Sequence, residues 1–204
     1  TYMLYSMQNS GNCYKPRLLL RQIGQDFRLV DTNSLDGSTR KPDFLALNPN
    51  GKVPLLVLPD GRRLAESNAM LLHLAEGTPF LPADAYERAV CYQWLFFEQY
   101  SHEPYVAVAR SWLHLIPDGR TRLGAERLAE LQTRGHKALQ VMEQRLGEAP
   151  WFAGSAYSVA DIALYAYTHV AHEGGFDVAP YPGIRDWLGR VAATPRFVDM
   201  EWRP

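Results

Sequence analysis

The chain has 204 residues, 47% of them hydrophobic, and a formal net charge of -1. That is apolar material for one large or two small packed domains, and the near-neutral balance excludes the basic footprint of a nucleic-acid binder. No apolar run reaches bilayer-spanning length, and no charged leader with an apolar core opens the sequence, so a membrane protein is not expected. The two cysteines, Cys13 and Cys91, show neither metal-ligand spacing nor disulfide density, so the expectation is a cytoplasmic protein without a metal.

Tyr2 to Ser6 reads as an opening strand. Asn9-Ser10-Gly11-Asn12 supplies turn chemistry, and Cys13 to Ile23 predicts a helix closed by Gly24 at the C′ position, with Pro16 in its first turn. Phe27 to Val30 is a second strand, which makes the opening unit βαβ with a parallel pair. Asp31 to Lys41 is a polar loop, and Pro42 to Leu47 a short helix or turn.

Asn48-Pro49-Asn50-Gly51-Lys52-Val53-Pro54 then leads into the apolar run Leu55 to Leu58. Proline cannot donate to a sheet ladder, so Pro54 belongs where a strand starts or on an edge. Pro59-Asp60-Gly61 is a turn, and Arg63-Leu64-Ala65 returns as a short strand. Glu66-Ser67 falls where that strand meets a helix from Asn68 to Glu76, which puts a serine and free backbone N–H groups at a helix start, an anion site.

Gly77 to Ala83 is a linker by composition, and everything beyond it reads as helix. Ala85 to Leu115 is one long periodic segment that Pro104 must bend. Thr121 to Leu146 is a second long helix, Ser158 to about His172 a third, and Pro182 to Ala193 a fourth, stopped by Pro195. Ser158 and Asp161 fit a capping box, and Tyr157 with Ile162 a hydrophobic staple, so this hydroxyl and carboxylate are read as structural rather than catalytic. His169 and His172 lie three apart on one helical face with no third ligand, and are read as non-metal.

These segments together resemble the glutathione transferases, from residue 2 to about residue 198. The resemblance rests on the Asn-Pro string joined to Glu66-Ser67 at this spacing, and on the Ser158 to Ile162 folding motif. It implies an N-terminal thioredoxin-like domain of βαβ-α-ββα order over residues 1–77, with an all-helical bundle over 84–204 carrying the site for the second substrate. It also implies a cis peptide before Pro54, with the Val53 backbone binding the cysteinyl part of glutathione. Glu66 and Ser67 would take the γ-glutamyl end, and Lys52 and Arg40 are candidates for the glycyl carboxylate.

The strand-to-helix turn is where thioredoxin-like folds carry a redox cysteine pair. Here the positions are Ser10 and Cys13. A serine hydroxyl can donate to the thiolate of bound glutathione and favour its ionised form. Similarity to the serine-type transferases of the theta and delta kind puts the catalytic hydroxyl at Ser10, with Asn12 assisting or replacing it. Tyr5 and Cys13 are the remaining alternatives. Tyr105, Val108 and Trp112, beyond the Pro104 bend, are candidates for an apolar second-substrate pocket, although such residues are more often core.

The resemblance therefore implies a detoxifying enzyme that conjugates glutathione, as co-substrate, to an apolar electrophile. A glutathione-dependent disulfide reductase or peroxidase, and a non-catalytic partner-binding protein on the same fold, are the alternatives. It also implies a homodimer, the thioredoxin-like domain of one chain against the helical domain of the other. Met70, His73, Tyr92, Phe96, Glu98 and Gln99 read as interface material, with Gln99 or His102 near the partner's γ-glutamyl site.

Overall fold

A computed structural model describes all residues, Thr1–Pro204. The chain divides into two compact units, one of Thr1–Thr78 together with Pro195–Pro204, the other of Pro79–Thr194. The expected helical domain, 84–204, thus differs from the second unit at its C-terminal end. The last ten residues pack instead on the first helix and its neighbours, because the backbone carbonyls of Pro195, Val198 and Met200 accept hydrogen bonds from Gln22, Tyr14 and Arg17. An Arg203–Asp31 ion pair and Trp202 beside Phe27 complete the attachment.

In the first unit the elements run β1 (Tyr2–Ser6), α1 (Gly11–Gln22), β2 (Phe27–Asp31), a 3₁₀ turn (Ser38–Arg40), α2 (Pro42–Leu47), β3 (Leu55–Val57), β4 (Arg63–Ala65) and α3 (Ser67–Ala75). The sheet order is β2-β1-β3-β4, with β1 parallel to β2 and the other pairs antiparallel. This is the thioredoxin-like order. Leu4 on β1, Leu18, Leu19 and Leu20 on α1, and Met70 and Leu71 on α3 are fully buried and form its core. Met70, expected as interface material, is therefore a core residue.

Helix α1 begins earlier than its hydrophobic pattern suggests, because Ser10 caps it. The Ser10 Oγ accepts from the Cys13 N–H at 3.2 Å. Pro16 consequently lies inside the helix rather than in its first turn. The helix ends as a Schellman motif: Gly24 at φ 72° donates to Arg21, and Gln25 to Leu20.

The second unit contains α4 (Ala85–Phe97), a π-turn (Glu98–His102), α5 (Glu103–Arg110), a second π-turn (Ser111–Leu115), α6 (Gly119–Leu123), α7 (Ala125–Glu148), α8 (Val159–Thr168), a 3₁₀ turn (Ala171–Gly174) and α9 (Pro182–Ala192). Pro104 has no N–H to donate, and the irregularity it demands is the π-turn immediately before it. Gly124, at φ 88°, divides the expected helix Thr121–Leu146 into α6 and α7. The expected third helix stops at Thr168, and the 3₁₀ turn carries His172.

Helix α8 is buried on every side, as its apolar composition requires. The capping box forms as expected: Ser158 accepts from Ala160, and Asp161 accepts from the Ser158 N–H at 2.9 Å. Asp161 also accepts from the Phe152 N–H and from the Trp187 indole, so one carboxylate ties α8 to α9 and to the chain before the cap. Burial pushes its carboxyl up to about 6, against the lowering effect of these donors. Tyr157 packs edge-on against Phe80 and Trp151. His169 stacks on Tyr165 and bonds its backbone carbonyl, a structural arrangement.

Glu98, read as interface material, and His102, expected near the partner's γ-glutamyl site, are fully buried. His102 meets the Thr168 hydroxyl at 2.9 Å, and Glu98 accepts from Gln99. Phe96 and Tyr100, by contrast, are 74% and 84% exposed and lie four residues apart. No helix is long and apolar enough to cross a membrane.

Candidate functional site

Three backbone devices of the first unit are candidate parts of a ligand site. The turn Asn48-Pro49-Asn50-Gly51 is held by Asn48. Its carbonyl accepts from the Gly51 N–H, its Oδ1 accepts from the Asn50 N–H, and its Nδ2 donates to the Lys52 carbonyl at 2.8 Å. Asn48 is buried, so this turn is fixed from inside. Gly51 adopts φ 63°, and a Cβ there would meet the Thr39 carbonyl at 3.0 Å. That close approach sets the 3₁₀ turn carrying Arg40 against the turn carrying Lys52. Both cationic side chains are exposed.

The Val53–Pro54 peptide is cis. Pro54 is buried and Val53 half-buried, and β3 begins directly after them. Glu66 follows β4 at φ 69°, a conformation that a residue with a Cβ adopts only where its surroundings hold it there. Glu66 is the cap residue of α3, but its side chain makes no capping bond. The first-turn N–H groups of α3 therefore remain a donor cluster at the positive end of a helix.

Ser10 and Asn12, both half-buried, stand at the N-terminus of α1. Because the Ser10 oxygen is already an acceptor for the Cys13 N–H, its hydroxyl hydrogen is the group it can offer to a ligand. Cys13 is fully buried, accepts from the Met7 N–H at 3.3 Å, and has its thiol pushed up by burial. That is the environment of an inert structural thiol. Tyr5 lies on β1 with its ring edge-on to Phe44 of α2.

The structure brings Asn12 and Ser67 together: the Ser67 hydroxyl donates to Asn12 Oδ1 at 3.3 Å. Between them sits Lys15, which the sequence reading passed over. It is fully buried, and its Nζ donates to Asn12 Oδ1 at 2.9 Å, Asn68 Oδ1 at 3.1 Å and Ser67 Oγ at 3.3 Å. One signal in the sequence was available: Asn12 and Lys15 are three apart, on neighbouring positions of one helix face. A lysine is ordinarily assigned to the surface, and that habit hides it.

In the second unit Tyr105, Val108 and Trp112 are all half-buried and share one face of α5 and its continuation. The Tyr105 hydroxyl accepts from Arg134 of α7 at 3.1 Å, and the Arg134 guanidinium lies 5.5 Å from its ring centre. Trp112 lies under Arg122. Their rings are thus already packed against cations within the unit. Arg110 is buried and paired with Glu173 at 2.6 Å. No group of three or more His, Cys, Asp or Glu side chains stands close enough to hold a metal ion.

The N-terminal domain of the glutathione S-transferases matches residues 9–76, and their C-terminal domain residues 125–190. The chain belongs to the glutathione S-transferase family. A crystal structure of a glutathione S-transferase from Pseudomonas fluorescens Pf-5 is 50% identical, covers 98% of each chain and superposes with a TM-score of 0.94. The disulfide-bond oxidoreductase YfcG of Escherichia coli is 32% identical over 90% of this chain and 87% of its own length. Glutathione S-transferase 3 of Zea mays is 33% identical over 95% and 90%. The fold is therefore that of the family, a four-stranded mixed sheet in a thioredoxin-like domain and a helical domain.

Proposed function

We propose that this chain is a cytoplasmic, homodimeric glutathione transferase of the serine type, which binds glutathione as co-substrate in its first unit and conjugates it to an apolar electrophile. The observation that carries this reading is the Ser67–Asn12 contact. It joins the residues assigned to the γ-glutamyl end and to the thiol, which lie far apart in sequence. Ser67 and Glu66 at the α3 start serve the γ-glutamyl carboxylate and ammonium. The cis Val53–Pro54 peptide offers backbone to the cysteinyl part, and Arg40 and Lys52 take the glycyl carboxylate. This assignment fits a ligand with two carboxylates and one ammonium group, because donors and cations are among the assigned residues.

At the thiol, Ser10 donates its hydroxyl and Asn12 an amide N–H. Both act at the positive end of α1, so the thiolate is favoured over the thiol. The thiolate then attacks the electrophilic carbon and displaces its leaving group, a halide for an aryl halide; Tyr105, Val108 and Trp112 of the second unit are our candidates for binding the apolar electrophile. The exposed aromatic pair Phe96 and Tyr100 supplies the apolar patch of a two-fold interface.

A second reading is glutathione-dependent disulfide reduction, favoured by the similarity to YfcG and by the burial of both cysteines of this chain. With no exposed thiol of its own, the protein would draw both electrons from two glutathione molecules. The products are oxidised glutathione and two substrate thiols. Parallel assays with an aryl halide and with a small-molecule disulfide decide between them. Turnover of the halide supports conjugation, turnover of the disulfide alone supports reduction, and inactivity on both with no glutathione binding rejects each reading.

A further inference from the structure

The last residues of the chain and the loop before Ser10 form one hydrogen-bonded assembly, and the function just proposed gives it no task. The loop, Met7-Gln8-Asn9, joins β1 to the cap of α1. The Gln8 amide donates to the Met200 carbonyl at 2.8 Å and to the Trp202 carbonyl at 3.3 Å, while its Oε1 accepts from Arg203 at 2.9 Å. Both halves of that amide are thus engaged by residues 200–203. Arg203 is anchored in turn by a two-point pair with Asp31 at the end of β2.

Arg17 of α1 binds loop and tail together. It is fully buried, so oxygens of the protein must replace its water. One terminal nitrogen donates to Ser6 Oγ at 2.8 Å and to the Met7 carbonyl at 3.4 Å. The other donates to the Gln8 carbonyl at 2.8 Å and to the Met200 carbonyl at 2.9 Å. One guanidinium nitrogen is therefore shared between the loop and the tail, and a shift of either would leave a buried donor unsatisfied. The Met7 carbonyl that Arg17 engages also accepts from the Ser10 N–H at 3.2 Å. The same carbonyl thereby ties the assembly to the backbone of Ser10.

We infer that Gln8, Arg17 and Arg203 are positioning residues of the thiol site: through them residues 200–203 fix the β1–α1 loop, and with it the direction in which Ser10 offers its hydroxyl. This rests on the role proposed above for Ser10. The three residues act through Ser10 and have no assigned contact with glutathione. A hydrogen bond weakens steeply as its donor turns off line. A small movement of the loop is therefore felt by the thiolate, and not by the carboxylate ends of the ligand.

The test compares glutathione with S-methylglutathione, which keeps both ends of the ligand but has no ionisable thiol. Gln8→Leu removes the three side-chain bonds to the tail. The ionisation midpoint of the bound thiol, read from ultraviolet thiolate absorbance, should rise by about half a unit, and glutathione should bind about threefold more weakly near neutral pH. S-methylglutathione affinity should stay as it was. In a Ser10→Ala background, Gln8→Leu should add almost nothing to the midpoint. Arg203→Met, at an exposed position, should move the midpoint the same way by less, and Arg203→Lys, which keeps a donor for Gln8 Oε1, should restore part of that change. An unmoved midpoint in Gln8→Leu, equal weakening of both ligands, or an equal rise with and without Ser10 overturns the inference and leaves the tail a stabilising attachment. If Gln8→Leu does not fold, Arg203→Met decides by the same readouts. Wild-type protein that binds neither ligand rejects the proposed function itself and the inference with it.

Discussion

Ser67 donates its hydroxyl to the side-chain oxygen of Asn12 at 3.3 Å, although 55 residues separate the two in the chain. The contact exists because α1 and α3 pack side by side with their N-termini adjacent, and because Lys15 draws both side chains toward one buried nitrogen. Ser67, proposed for the γ-glutamyl end, and Asn12, proposed for the thiol, are therefore one hydrogen-bonded unit. Changes at either end should be felt at the other.

Ser67→Ala and Glu66→Ala test the γ-glutamyl end. Each should raise the glutathione dissociation constant by about a factor of ten. Ser67→Ala should also slow turnover, since it releases Asn12, whereas Glu66→Ala should not. Calorimetry and steady-state kinetics on the two variants check this, and wild-type affinity in both would move glutathione elsewhere.

Ser10→Ala separates catalysis from binding. Turnover should fall far more than glutathione affinity, because the hydroxyl acts on the thiolate rather than on the ends of the peptide. The variant should also lose about 1 kcal/mol of stability, since Ser10 caps α1. Ser10→Thr keeps both the cap and the donor and should recover both losses in part. Unchanged turnover in the alanine variant would assign the thiol to Asn12 alone.

Gly51→Ala probes the turn that sets Lys52 beside the Arg40 segment. Its positive φ strains any residue with a Cβ, and the 3.0 Å approach to the Thr39 carbonyl makes that Cβ a tight fit. A stability loss of about 1–2 kcal/mol is expected, together with weaker glutathione binding as the two cations shift apart. Denaturant unfolding and calorimetry read the two effects separately.

Much of this architecture is legible in the residues. The β1–α1–β2 opening, the Pro59-Asp60-Gly61 turn and the Ser158–Asp161 box follow from local patterns whose physics is short-range. The helical unit is less so. A single glycine, Gly124, decides the break between α6 and α7, and its left-handed backbone cannot be told from an ordinary helical glycine by composition. Met70, Glu98 and His102 look like surplus surface in sequence and are core in the fold, because their partners, such as Thr168 for His102, lie on distant elements. Lys15 is hidden for the same reason: two of its three partners are on α3.

Asp161 makes stability depend on pH. Burial raises its folded-state value to about 6 from 3.8, so the folded protein holds this proton more tightly than the unfolded chain. Its contribution is fully present below about pH 4 and is lost as pH rises toward 6, at roughly 1.4 kcal/mol per unit across that window. Asp161→Asn should remove this slope. It should also lower stability overall, because an amide N–H₂ must then face one of the three N–H donors now bound to the carboxylate. Unfolding curves at pH 4.5 and 7 for both proteins measure the difference, and parallel pH dependence would refute the assignment.

The exposed Phe96 and Tyr100 make the oligomeric state testable by one double substitution. Tyr100→Asp combined with Phe96→Asp should give a monomer by light scattering at micromolar concentration, where the account expects the parent protein to be a dimer. A parent protein of monomer mass, unchanged by glutathione, would remove the two-fold interface.

The most direct measurement of the central claim is the ionisation of the glutathione thiol in complex with the unmodified protein, followed by ultraviolet thiolate absorbance across pH. Donation from Ser10 and Asn12 at the positive end of α1 predicts a midpoint at least about one unit below that of free glutathione, a difference of about 1.4 kcal/mol in favour of bound thiolate. A bound thiol that titrates with free glutathione would contradict the account, because the site would then hold the tripeptide without activating it.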